Sequence, residues 1–263
     1  MLKKILKYDL LYIYKVLIVF YTLSLFFAVM TRITTIDNPP LIMLIINKIL
    51  SGTTIALIIN IIINSIMRIW VRFKNNIYGD ESYLTHTLPV KKENIYLSKI
   101  LAILITMLTS MLIIGLTLFI ACYSKTTIEV IKNSLNIIAQ TYNSAIIILL
   151  ITILLVLTVE LLTIVFSGIT GIIIGHKKNN NKIIYSIIFG LITYIISQVL
   201  VLIIVYLIAL INPNIMEIFK TNQITNISTI KTFIYIALVI YTFILITLNI
   251  LNMKLLKKGV NVE

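Results

Sequence analysis

The chain has 263 residues, 60% of them hydrophobic and 12% charged, with a mean hydropathy of +1.08. A soluble domain of this length does not bury so much apolar surface, so the composition excludes water as the main solvent and points to a bilayer. The net charge is +13, from 22 Lys and Arg against 9 Asp and Glu, but the basic residues stand in short clusters between apolar runs with no basic face interleaved with aromatics, which argues against a nucleic-acid partner.

The chain opens on MLKKILKYDLLYIYKVL. Leu2, Ile5, Leu6 and Leu10 form an apolar stripe, Lys3, Lys4, Lys7 and Asp9 are polar, and Tyr8, Tyr12 and Tyr14 are residues favoured at interfaces. This pattern predicts an N-terminal interfacial helix lying on the inner leaflet before the first span. The competing reading starts the crossing at Leu10, with Lys15 snorkelling. No small-residue cleavage site is evident, so the first apolar run reads as an uncleaved span.

A membrane helix needs about 20 apolar residues. Six stretches provide them, near 16–36, 48–69, 99–122, 145–174, 183–211 and 232–253. The predicted fold class is therefore all-α, a polytopic membrane protein with six transmembrane helices in a single domain, 1–263. Residues 31–40, TRITTIDNPP, read as a turn closed by Pro39 and Pro40.

Residues 68–99 form the longest polar connection. RIWVRFKNN continues span two beyond the bilayer, with Trp70 at the headgroups and Arg72 and Lys74 facing phosphates. Gly79 ends that helix, Asp80 caps a short one over ESYLTHTL, and the acids Asp80 and Glu81 suit its positive end. Pro89 stops it, and span three follows Lys91, Lys92 and Glu93. A short helix held between two spans transmits a push, and Tyr83, Leu84 and Leu88 offer apolar contacts to a partner's groove.

Further along, residues 123–143 carry Ile128, Ile131, Leu135 and Ile138 at helical spacing, consistent with a helix on the outer surface. Glu160 is the one acid deep in a span, and a carboxyl in lipid is costly and a functional candidate by default. It lines a path, pairs with a cation, or stays protonated and hydrogen-bonds a neighbouring helix; the sequence leaves these open. Ser167, Gly171 and Gly175 recur every four residues with Gly168 beside them, and small residues at that spacing let two membrane helices approach closely. Residues 212–231 form a second long outer loop.

Placing the N-terminus on one side puts fifteen Lys and Arg there and five on the other, with Lys15 and Lys48 near span ends set aside. The positive-inside rule then puts both termini and the 78–99 segment in the cytoplasm. Phosphate-loop and H-E-x-x-H motifs are absent, and His86 and His176 stand far apart with no Cys or carboxylate cluster beside them. The chain reads as a part of a machine and not as a self-contained enzyme.

YGDESYLTHTLPVKKENIYLSK, residues 78–99, resembles the segment between spans two and three in ABC-2 type transporter permeases of Gram-positive bacteria. The resemblance rests on an acidic G-D-E start, a Leu-containing stretch, an L-P-V turn and a Ser-Lys pair, here Gly79, Asp80, Glu81, Leu84, Leu88, Pro89, Val90, Ser98 and Lys99. It implies a multi-pass permease of a bacterial plasma membrane whose cytoplasmic coupling helix (Gly79, Asp80, Glu81, Tyr83, Leu84, Leu88, Pro89) docks on ATP-binding cassette ATPase subunits. ATP and Mg would be bound by those partners and no cofactor by this chain. A second permease, identical or paralogous, would complete the path, and antimicrobial peptides, drugs or other amphiphiles are the implied cargo. An ion-gradient-driven carrier and a non-transporting membrane scaffold or sensor are the rival expectations.

Overall fold

The structure is a computed structural model describing residues 2–36, 39–87, 89–123, 146–212 and 227–258, together with 129, 132–134, 136 and 215–216. The described residues are all-helical. In chain order the helices are α1 (Leu2–Thr34), α2 (Leu41–Ile77), α3 (Ser82–Thr87), α4 (Lys92–Ala121), α5 (Ile146–Gly175), α6 (Lys182–Ile211) and α7 (Ile227–Lys257). All except α3 are long and apolar enough to cross a membrane, and the chain is a multi-pass membrane protein. The outer-surface helix expected over 123–143 and the loop expected over 212–231 fall mostly outside the described residues.

At 1.5 Å per residue, a 30-residue helix spans about 45 Å against a hydrocarbon thickness of about 30 Å. Each spanning helix therefore extends beyond the apolar layer or tilts within it. α1 shows this most plainly. The helix expected ahead of the first span and the span itself are one uninterrupted 33-residue helix, because neither Gly nor Pro stands between Leu2 and Thr34 to break it.

The chain packs as two compact units. The first contains α1, α2 and α4. α1 and α4 run parallel and α2 runs against both, as the order of their contacts shows: Tyr21 meets Ser110 and Ser24 meets Thr117, whereas Thr31 meets Thr54 and Asp9 meets Arg72. The helices are joined at successive depths by hydroxyls. The Tyr14 and Thr109 hydroxyls lie 2.6 Å apart, Tyr21 and Ser110 2.6 Å, Ser65 and Ser110 2.8 Å, and Thr31 and Thr54 3.1 Å. At the other end Asn47 donates to the Thr31 carbonyl and to the hydroxyls of Thr34 and Thr35. Among lipid tails, burying Ile against Ile gains little, so such interhelical hydrogen bonds and close packing carry the association, at about 0.6 kcal/mol each.

The second unit contains α5, α6, α7 and the short stretch Ile77–Tyr83. Here close approach does the work. A Cβ added to Gly171 would stand closer than 3.0 Å to the backbone of Gly190 and Ser186, and one on Gly175 would strike Ser186. Gly190 in turn lies over the Cα of Gly168. The small residues of α5 thus face small residues of α6 in an antiparallel pair. α7 packs parallel to α5, with Asn252 Nδ2 donating to the Phe166 carbonyl at 3.3 Å.

Gly171→Leu is expected to destabilise the protein by about 1–3 kcal/mol or more, because the obstacle is backbone and cannot swing aside. Gly115→Ala, where a Cβ meets nothing within 4 Å, is expected to leave stability unchanged. Thermal unfolding of the two variants in detergent checks the contrast.

Candidate partner-docking segment and its anchors

The segment between α2 and α4 folds as a short helix between two breaks. α2 ends at Ile77, the Ser82 N–H donates to the Gly79 carbonyl at 2.8 Å in a turn, and α3 follows over Ser82–Thr87. Pro89 and Val90 lie in a bend before α4 begins at Lys92. Gly79 and Glu81 are half-buried, Asp80 and Pro89 are exposed, and Leu88 lies outside the described residues. On α3 itself, Ser82 and Thr85 are buried while Tyr83 and Leu84 are 69% and 73% exposed. A six-residue helix is far too short to be stable alone, so its conformation is imposed by what holds its two roots.

One root is the buried charge cluster of the first unit. Asp9, wholly buried on α1, accepts hydrogen bonds from Arg72 Nε at 2.7 Å and from Lys99 Nζ at 2.7 Å on each carboxylate oxygen. Arg72 is 8% and Lys99 3% exposed. The Arg72 guanidinium also lies over the Tyr12 ring, 4.8 Å from its centre, a favourable placement for a cation. One carboxylate therefore ties together the last turns of α2, an early turn of α4 and the first turns of α1. Ile13, Ile69, Phe73, Ala102 and Ile103 close an apolar wall around it, which strengthens each charged contact and raises the penalty for removing any partner.

This arrangement corrects one sequence expectation. Arg72 does not face lipid phosphates; it turns inward to Asp9. Sequence reasoning placed Asp9 on the solvated face of an amphipathic helix and took Lys99 only as half of a Ser-Lys pair. The available signal was an isolated acid beside Leu10 and an isolated Lys just inside an apolar run, charges that lipid tolerates only when paired.

The other root belongs to the second unit. Tyr78, 2% exposed, stacks on His176 with ring centres 4.4 Å apart and planes 27° apart. His176 caps the end of α5, where its Nδ1 lies 2.9 Å from the Ile172 carbonyl and 3.4 Å from Ser186 Oγ. The Nδ1–H donates to that carbonyl, which fixes the ring's orientation for stacking. Gly175 leaves the room that Ser186 occupies. The small-residue stripe of α5 thus ends at the ring stack that holds the start of the docking segment. Burial pushes the Tyr78 phenol well above its ordinary value of 10.0.

Ser167, Gly168, Gly171 and Gly175 all lie on α5, and Gly168, Gly171 and Gly175 sit where α6 crosses closest. Glu160 is half-buried at the middle of α5, and Tyr241 stands at the middle of α7, which packs against α5. Glu160 lies on α5 well before the His176 stack at that helix's end and takes part in neither root. Comparison with protein-family models, with curated proteins and with solved structures finds no match to this chain.

Asp9→Asn is expected to destabilise the first unit by about 3–5 kcal/mol, because it removes the anion that two buried cations share; a melting curve in detergent checks this. The Tyr78 phenol gives a pH dependence. Its raised value means the folded state keeps the proton, so the stabilisation is intact below pH 10 and is lost as pH rises beyond the ordinary tyrosine range. Tyr78→Phe is expected to move the alkaline unfolding midpoint upward, as followed by far-UV circular dichroism.

Proposed function

We propose that this chain is the membrane-spanning permease subunit of an ATP-driven ABC exporter, set in a bacterial plasma membrane with both termini in the cytoplasm. The observation that carries the reading is α3: a short helix that follows the buried Tyr78 and presents Tyr83 and Leu84 to the outside. Exposed aromatic and aliphatic side chains beyond a span, on the side richest in Lys and Arg, fit a groove on a soluble partner. ATP and Mg belong to that partner, since this chain carries no phosphate loop.

In this reading the ATP-binding cassette subunit grips α3 and moves it when nucleotide binds. The anchors make the grip effective. Because Asp9 binds Arg72 and Lys99 together, a displacement at the end of α2 or the start of α4 is shared with α1, and packed helices shift as units and not as separate rods. A second permease, identical or paralogous, completes the path, and antimicrobial peptides, drugs or other amphiphiles are the cargo. An ion-gradient-driven carrier is the second reading, and Glu160 at mid-span is the observation that favours it.

Replacing Tyr83 and Leu84 together by Asp is expected to remove the ATP-binding cassette protein that co-purifies with this chain in mild detergent, with the permease still inserted. An undiminished partner band would sink the docking role of α3. Export that persists without ATP and stops with an uncoupler would favour the carrier.

A further inference from the structure

Residues 146–175, 183–211 and 232–253, which are all of α5, α6 beyond its first residue and the middle of α7, contain no Lys, Arg or His, and Glu160 is their one acid. It lies midway along α5 and is half-buried, so the carboxyl is neither sealed in the core nor pointed wholly at lipid. No basic side chain of these stretches neutralises it. Its neighbours are of another kind. Tyr194 on α6 and Tyr241 on α7 stand, like Glu160 on α5, near the midpoints of helices that pack on one another. The Tyr241 hydroxyl donates to Gln198 Oε1 at 2.7 Å, joining α7 to α6 at the same depth. With Oε1 so engaged, Gln198 Nε2 is a buried donor with no hydrogen-bond partner among the described residues.

A carboxyl, two phenols and an unpartnered amide donor at the middles of three packed helices form a polar belt among Ile, Leu and Val. We propose that this cluster binds the positively charged head of an amphiphilic organic cation. Glu160 supplies the negative charge opposite the ligand's head, and no basic residue of these stretches competes for it. The faces of Tyr241 and Tyr194 attract an ammonium or phosphonium group, and the surrounding aliphatic side chains take the apolar body. Gln198 orients the Tyr241 ring through its Oε1 and offers its Nε2–H to an acceptor on the ligand, such as an amide carbonyl. As the cargo site of an exporter, the cluster rests on the permease reading; as a binding site, it stands without a partner ATPase.

The test uses the full chain in phosphatidylcholine nanodiscs, with radiolabelled tetraphenylphosphonium as the probe and no ATPase present. Saturable binding is expected, weakened about tenfold or more by Glu160→Gln and largely retained by Glu160→Asp, with both variants eluting as folded protein. Uncharged tetraphenylmethane is expected not to compete. The absence of saturable binding, or equal affinity in Glu160→Gln, would overturn the inference. Should Glu160→Gln fail to fold, Tyr241→Leu carries the comparison, and unchanged affinity there overturns it equally. Because no partner protein enters this assay, its failure leaves the α3 pull-down result standing, and the reverse also holds.

Discussion

A helix bundle in lipid cannot be held together by the preference of Ile for Ile over water, since lipid tails are as apolar as the side chains. Everything specific in this molecule follows from that shortage. In the first unit the deficit is met by polar pairs set at intervals along the helices, and the strongest is the Asp9 carboxylate with Arg72 and Lys99. In the second unit it is met by small residues that let α5 and α6 touch along their backbones. The two solutions are physically different. One localises energy in a few directional contacts; the other spreads it over many weak ones and depends on the absence of side-chain bulk.

The difference bears on how motion would travel. A unit held at points can rock about those points, whereas a unit held by continuous backbone contact moves as a block. In the second unit Tyr78 stacks against His176; in the first, the end of α2 and the start of α4 meet α1 at the Asp9 charge cluster.

Much of this was legible in the sequence. Six apolar runs of bilayer length, the break at Gly79, the short helix and the stop at Pro89 were all visible, because length, composition and Gly or Pro punctuation are local properties. The role of Gly171 and Gly175 was half legible: the spacing signalled close approach but not that Gly190 and Ser186 would be the other side. The ion cluster was not legible, since Asp9, Arg72 and Lys99 are separated by 63 and 90 positions, and periodicity carries no information on which distant charges meet. Nor could the Tyr78–His176 stack be foreseen, because an aromatic residue next to a turn is as easily an interfacial anchor as a buried plug.

The stretch Ile77–Tyr83 packs in a unit otherwise built from the C-terminal half of the chain. During synthesis this has a cost in time. Tyr78 emerges long before His176, and at about 5–20 residues per second the roughly hundred residues between them take about 5–20 s to appear. Over that interval α1 and α2 are already made, but the ring that clamps the docking segment has nothing to stack against. The stack that holds the entry to α3 therefore forms only once α5 has been completed, so this clamp is the last-made part of a segment whose own residues are synthesised early.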